Sequence, residues 1–225
     1  MKANLFLIAA ACATALSANA ITVTSGFGTI PGASGNPYSG SGIPYNTSEY
    51  TTISGIGSSQ DTLTLALAAT AHGAFNPAPT DNGAGTYYVG TGLSGGRSLW
   101  NFDFYINSAQ SQLGNYTFRL TETGNGLSFA FNPLLIPDNV GAPSSAGNSE
   151  SLDFAAFGLP LLYNPNADAT YTFQLDALLD GRTIGSDKIT VVAGKGSSVP
   201  DGGATGLMLG ACVVGLAAAG RKLRA

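Results

Sequence analysis

Hydrophobic and polar residues alternate with a period of two along most of the chain, which is the pattern of half-buried β-strands. The hydrophobic positions of the four clearest segments are Leu63, Leu65 and Leu67; Trp100, Phe102, Phe104 and Ile106; Tyr116, Phe118 and Leu120; and Tyr171, Phe173 and Leu175. Between the two ends of the chain, no segment has the 3.6-residue period of an amphipathic helix. The pattern therefore predicts strands that bury one face and expose the other.

Turn sequences separate the predicted strands. They are Asp81-Asn82-Gly83, Ser94-Gly95-Gly96, Thr123-Gly124-Asn125-Gly126, Asn164 to Asp168, and Asp180-Gly181. About nine strands with such turns predict an all-β fold, a single antiparallel β-sandwich of immunoglobulin-like or related type. The stretch from Asn164 to Val192 predicts the closing hairpin of the sandwich. The loop from Pro137 to Asn148 predicts a connection between the two sheets. We assign residues 21–198 to this ectodomain, with a first strand at 21–24 and an irregular Gly/Ser/Pro-rich segment at 25–48.

The first 20 residues have the order of a secretory signal peptide. Lys2 precedes an apolar run that ends at Leu16, and small residues follow at Ala18 and Ala20. We therefore expect cleavage after Ala20. An alternative, lipid attachment at Cys12, lacks the large aliphatic residue usual three positions before the cysteine.

The chain ends with an uncharged apolar run followed by a basic cluster. The run, Ala204–Gly220, has 17 residues, and as a helix it would span about 26 Å of a hydrocarbon core about 30 Å thick. Arg221, Lys222 and Arg224 follow as a stop-transfer cluster that keeps the C-terminus cytoplasmic. We therefore predict a transmembrane helix in the inner membrane. The alternative, a buried helix of a soluble domain, would be amphipathic.

The residues that precede this helix form a short polar signature. They read Val199-Pro200-Asp201-Gly202-Gly203-Ala204-Thr205, and with the helix and basic end they resemble the exosortase-recognised sorting signals of the bacterial PEP-CTERM class, most nearly the VPDSG-CTERM variant. Gly202 stands at the serine position of that variant, and the Pro-Glu-Pro of the founding form is absent. The resemblance implies a membrane-embedded exosortase-like enzyme as partner, cleavage near the signature, and a cell-surface or extracellular address. Residues 97–193 are more loosely similar to ectodomains found before such tails.

The composition of the ectodomain excludes several kinds of functional site. Both cysteines, Cys12 and Cys212, lie in the terminal segments, so residues 21–198 contain neither a disulfide nor a thiolate metal site. This part keeps five of nine basic residues and twelve of thirteen acidic residues, a formal charge of −7. An acidic body without clustered Lys and Arg argues against nucleic-acid binding.

Few residues could support catalysis. His72 is the single histidine, so a Ser-His-Asp triad would have to use it. Glu150 and Asp153 are the best-placed carboxylate pair for glycoside hydrolysis, but residues three apart on a strand point to opposite faces. Asp103 or Glu122 could face either of them. We predict no catalytic residue, no cofactor and no metal, and we interpret these acids as surface carboxylates.

Two binding alternatives remain open. Asn164, Asn166 and Asp168 have the alternating oxygen spacing of calcium loops, although Asn and Asp also favour metal-free turns. Aromatic residues that could form a platform for sugars are Tyr45, Tyr87, Tyr88, Trp100 and Tyr105. The alternation places Trp100 in the core, makes Tyr105 the better surface candidate, and puts Tyr87 and Tyr88 on opposite faces.

These observations lead to one expected function and two alternatives. We expect a non-enzymatic protein of the bacterial cell surface or extracellular matrix, exported and then processed at its sorting signal. The first alternative is a carbohydrate-binding module that holds exopolysaccharide. The second is a polysaccharide hydrolase.

Overall fold

The computed structural model describes residues 20–33, 37–38, 43–57, 59–73, 78–110, 112–136, 139, 141–153 and 163–194. This part of the chain contains strands and two short 3-10 helices, Leu113–Asn115 and Pro133–Leu135, and no α-helix. The strands are β1 (Thr22–Gly28), β2 (Ser48–Ile56), β3 (Asp61–Ala71), β4 (Thr80–Asp81), β5 (Thr86–Val89), β6 (Leu93–Ser94), β7 (Arg97–Ser98), β8 (Trp100–Ser108), β9 (Thr117–Gly124), β10 (Leu127–Phe131), β11 (Ser145–Glu150), β12 (Ala169–Leu179) and β13 (Arg182–Ala193). The all-β fold class is confirmed.

Most strands belong to two open sheets. The first has the order β1-β2-β3-β8-β11, the second has the order β10-β9-β12-β13-β5-β4, and β6 and β7 form a separate ribbon. Neighbouring strands are antiparallel except β5 and β13, which run parallel with Thr86 opposite Thr190. The prediction of a wholly antiparallel arrangement was wrong at this position. Because no tight turn joins β5 to β13, nothing local forces these two strands to run in opposite directions.

Two hairpins have the turns that their sequences predict. Asn125 and Gly126 connect β9 to β10 with φ angles of 48° and 79°, and Asp180 and Gly181 connect β12 to β13 with φ angles of 49° and 74°. Positive φ at both central residues is the type I′ geometry, whose twist matches that of the flanking strands. Asn, Asp and Gly adopt it at low cost. The predicted closing hairpin, β12–β13, is therefore confirmed.

Side chains from both sheets share one core. The Phe102 ring of β8 stacks on Phe173 of β12 with centroids 4.8 Å apart, and Trp100 lies 5.7 Å from Tyr171. At the other side of the core, Ile53 of β2 packs against the backbone of Gly185 in β13. The prediction that Trp100 is a core residue is confirmed.

The N-terminal part of the chain covers the outer face of the first sheet. Strand β1 continues to Gly28, four residues beyond its predicted end, because Ser25 to Gly28 pair with β2. Beyond β1, the Tyr38 side chain is buried and shares a hydrogen bond of 2.7 Å with the Ser48 hydroxyl. The carbonyl of Pro37 lies directly against Gly147 of β11. The first sheet is therefore covered on both faces at these positions.

The connection from β10 to β11 passes from the second sheet to the first, as predicted. Strand β11 begins at Ser145, so the last four residues of the predicted loop are part of a strand. Gly147 suits this strand because the Pro37 carbonyl occupies the place of a side chain at that position.

Candidate functional site

The residues predicted for sorting and anchoring lie outside the described part of the chain. They are Val199, Pro200, Asp201, Gly202, Gly203, Thr205, Arg221, Lys222 and Arg224, together with Ala18 of the predicted signal peptide. Ala20, the other predicted cleavage residue, is exposed and lies two residues before β1. The last strand ends at Ala193, and the Gly194 N–H donates to Val89 O at 3.1 Å. No helix among the described residues is long and apolar enough to cross a membrane.

Acidic side chains are buried to an extent that the sequence did not lead us to expect. The buried acids are Asp61, Asp103, Glu122, Glu150, Asp176 and Asp187. In the described part of the chain one ion pair is formed, between Arg119 and Asp176. The interpretation of Asp103, Glu122 and Glu150 as surface carboxylates was therefore wrong, and a buried acid without an ion pair needs another way to be stabilised.

Two of the buried acids have a full set of donors. Asp61 accepts hydrogen bonds from the Ser108 and Tyr116 hydroxyls, both at 2.6 Å, and from two backbone N–H groups. Asp176 accepts two bonds from the Arg119 guanidinium, along with bonds from Gln174 and Ser186. Burial favours the neutral form of Asp176, but these bonds outweigh burial and lower its pKa. Both residues stabilise the fold.

Asp103 and Glu122 are fully buried, and none of their four carboxylate oxygens forms a hydrogen bond of normal geometry within the described part of the chain. Asp103 lies on the outer face of β8, beneath the N-terminal cover, and burial raises its pKa to about 7 against a smaller opposing effect of the Ser149 and Thr70 hydroxyls. Glu122 lies on the core face of β9, and burial raises its pKa to about 8. Asp103 faces away from the core and Glu122 faces it from the other sheet, so the two form no acid pair.

Asp187 of β13 and Glu49 of β2 belong to different sheets but lie close enough for the Glu49 charge to act on Asp187. The Thr51 hydroxyl of β2 donates to Asp187 Oδ1 of β13 at 3.1 Å, while Asp187 Oδ2 and Glu49 Oε2 are buried without a hydrogen-bond partner among the described residues. Burial raises the pKa of Asp187 to about 7, and the Glu49 charge adds to this rise; the Thr51 hydroxyl and the backbone N–H groups of Lys188 and Leu67 oppose it. Two neighbouring carboxylates with available oxygens are suited to bind a cation.

The predicted carboxylate pair is not arranged for hydrolysis. Asp153 accepts hydrogen bonds on both oxygens, from the Ser98 N–H at 2.9 Å and from the Ser151 hydroxyl. Glu150 ends β11 and is 3% exposed. Asp153 therefore joins the chain after β11 to β7, and the two acids do not line an open cleft together.

The aromatic residues proposed as a sugar platform are largely internal. Trp100 packs in a trio with Tyr163 and Tyr171, with ring centroids 5.7–6.4 Å apart. Tyr105 is 8% exposed, so its prediction as a surface residue was wrong. Its strand face is the one that the N-terminal segment covers. Tyr87 is buried and its neighbour Tyr88 is half-buried, as the alternation predicted.

The remaining candidates are engaged in local structure. His72 Nδ1 lies 2.9 Å from Asn101 Oδ1, and the His72 N–H donates to Leu99 O. Asn164 Oδ1 accepts from the Asn166 N–H at 3.0 Å, which closes the turn predicted as an alternative to a calcium loop. No group of three His, Cys, Asp or Glu side chains that could hold a metal is found within the described ranges.

An open cleft of about 330 Å³ lies between the two 3-10 helices and the chain leading into β11. Its described lining includes Leu113, Leu134, Asn139 and Ala146. The Asn139 amide donates to Pro133 O at 2.8 Å, so its polar group is already engaged. None of the described lining residues is acidic or aromatic, which makes the cleft a poor candidate for catalysis or sugar stacking.

Comparison with known proteins gives no further guidance, since the chain matches no protein-family model, no curated protein and no solved structure. The functional argument therefore depends on the terminal sequences and on the geometry of the described residues.

Proposed function

We propose that this chain is an exported, non-enzymatic protein of the bacterial cell surface or extracellular matrix. An exosortase-like enzyme of the inner membrane recognises the signature at residues 199–205 and cleaves near it. The single observation that carries this proposal is the order of signature, apolar run and basic cluster at the C-terminus. The described structure adds two supporting arguments.

The first supporting argument concerns the architecture. We interpret the two sheets as a β-sandwich of immunoglobulin-like or related type, because rings from β8 and β12 contact each other across the core. Among the described residues, thirty-one hydrophobic side chains are buried in one cluster. A body with a core of this size does not need the disulfides that its sequence lacks.

The second supporting argument concerns the boundaries of the strands. The outermost described strands begin at Thr22 and end at Ala193. Cleavage after Ala20 and cleavage near Val199 would therefore remove no strand from either sheet. A chain processed at both points would retain the whole described core.

The alternative functions receive less support. The carboxylate pair considered for a hydrolase does not share a cleft, since both Asp153 oxygens accept hydrogen bonds from Ser98 and Ser151. The carbohydrate-binding alternative depended on surface aromatics, but Trp100 and Tyr105 are both buried. No observation on the described residues favours either alternative.

The proposal is tested by the intact mass of the protein from its native host, measured separately in membrane and extracellular fractions. We expect an N-terminus at Ile21 and a C-terminus between Val199 and Gly203. Pro200→Ala and Asp201→Ala variants should accumulate as an uncleaved species in the membrane. Ser198→Ala, which changes the residue next to the signature, is the matched control and should be processed normally.

Two results would contradict the proposal. A species that extends from residue 21 to 225 and stays in the membrane would mean that the tail is only an anchor. Normal cleavage of the Pro200→Ala and Asp201→Ala variants would mean that the signature is not what the enzyme recognises.

A further inference from the structure

The acidic pair between β2 and β13 has the composition of a cation site. Asp187 is 2% exposed, and its Oδ2 has no hydrogen-bond partner among the described residues. Glu49 Oε2 is also buried and also has no hydrogen-bond partner there, and neither residue forms an ion pair within the described ranges. Carboxylates buried in this way are costly unless a cation or a proton neutralises them.

Two sets of oxygen atoms bring β2 close to residues 187 and 188 of β13. A methyl group built on Gly85 would lie 3.1 Å from Glu49 Oε2 and 3.4 Å from Lys188 O, so these two oxygens border one small space beside the glycine. The Thr51 hydroxyl lies 3.1 Å from Asp187 Oδ1. The set thus combines two carboxylates, a backbone carbonyl and a hydroxyl.

The two members of the pair differ in their exposure to solvent. Strand β5 pairs with β13 only from Thr190 onward, so the edge of β13 that precedes Thr190 carries no described strand. Glu49 is only half-buried at this edge. Glu49 is therefore the member of the pair that lies nearer to solvent.

We propose that Glu49 and Asp187 bind one divalent cation, Ca²⁺, at this edge, with the Lys188 carbonyl, the Thr51 hydroxyl and water as further ligands. Ca²⁺ accepts six to eight oxygen ligands of mixed type in flexible geometry, whereas Mg²⁺ demands a near-ideal octahedron. The bound ion neutralises both carboxylates and links the two sheets. The proposal does not depend on the sorting signal.

The test is calcium titration of the full chain, purified in detergent and stripped with EDTA. We expect one Ca²⁺ per chain in calorimetry, with a Kd of about 10⁻⁴–10⁻³ M, the range of extracellular calcium modules. Tb³⁺ is the second probe. Its emission should be sensitised by Tyr87, whose hydroxyl donates to Thr47 O at 2.5 Å, two residues from Glu49.

Three variants make the test specific. Glu49→Gln and Asp187→Asn keep the side-chain shape and should each weaken Ca²⁺ and Tb³⁺ binding by about tenfold or more, because each removes one charged ligand. Asp180→Asn is the matched control: it removes the same charge from an exposed turn and should bind as the parent does. Trp100 fluorescence verifies that every variant is folded.

The proposal is overturned if the parent chain gives no saturable calcium heat and no Tb³⁺ emission. It is also overturned if Glu49→Gln and Asp187→Asn bind as tightly as the parent. An equal loss of affinity in Asp180→Asn would contradict it as well, because net charge rather than a built site would then explain the binding.

Discussion

Replacing Asp103 with asparagine should stabilise the chain above pH 7 and change its stability little near pH 4. The Asp103 carboxyl is fully buried, and neither of its oxygens forms a hydrogen bond of normal geometry within the described ranges. Its charge also acts on two buried tyrosines, Tyr38 and Tyr87, where it adds to the burial that raises the pKa of each. Asparagine has the same shape and carries no charge at any pH.

The size of the effect follows from the pKa of Asp103. Burial raises it from 3.8 to about 7, and a difference of one in pKa corresponds to about 1.4 kcal/mol, so the ionisation costs the folded state about 4 kcal/mol. Between pH 4 and pH 7 the folded chain retains a proton that the unfolded chain loses. The free energy of unfolding therefore decreases as the pH rises through this window and levels off above pH 7.

Urea unfolding at a series of pH values measures this effect. Trp100, the single tryptophan, is 2% exposed, so its fluorescence reports the unfolding of the core. The stability difference between Asp103→Asn and the parent should grow from pH 4 to pH 7. The control, Asp180→Asn in an exposed turn, should show no such growth. A difference that does not depend on pH, or an Asp103→Asn variant less stable than the parent at pH 8, would refute the reasoning.

Three further predictions concern stability in the same assay. Glu122→Gln should stabilise the chain at pH 9 by about 5 kcal/mol and little at pH 5, because burial raises the Glu122 pKa from 4.5 to about 8. Gly147→Ala should destabilise by at least about 1–3 kcal/mol, because its methyl group would overlap the Pro37 carbonyl, whereas Gly114→Ala, which meets nothing within 4 Å, should be tolerated. Asp61→Ala should lower the free energy of unfolding by about 3 kcal/mol or more, because four hydrogen-bond donors lose their acceptor. Each of these predictions is contradicted if the variant is as stable as the parent chain, which for Glu122→Gln means at pH 9.

The strands and hairpins could be predicted because their causes are local. The alternation around Leu65, Phe104 and Phe173 lies inside β3, β8 and β12, where a period of two separates core positions from the opposite face. Asn125-Gly126 and Asp180-Gly181 define two hairpins because their residues adopt positive φ readily. In each case, neighbouring residues are sufficient to specify the structure.

The burial of Asp103 and Tyr105 could not be predicted in this way. Both occupy the polar positions of β8, which the alternation assigns to solvent, and that assignment holds only if the outer face is bare. The chain around Ile30 and Tyr38 covers the face instead, although its composition resembles that of an ordinary loop. A segment without periodicity gives no indication of the surface on which it will pack.

Only one part of the candidate cation site could be predicted from the sequence. The sequence indicates that Asp187 lies on a core face, but it does not indicate which residues lie beside it. Asp187 continues the buried alternation of Ile189 and Val191, just as Glu122 continues that of Phe118 and Leu120, so an acid on a core face could have been recognised in both strands. What the sequence could not reveal is the partner. Thr51 and Asp187 are 136 residues apart and belong to strands of different sheets, so their contact has no local cause. The periodicity shows which face a residue occupies, but only the packing of the sheets determines which acids become neighbours.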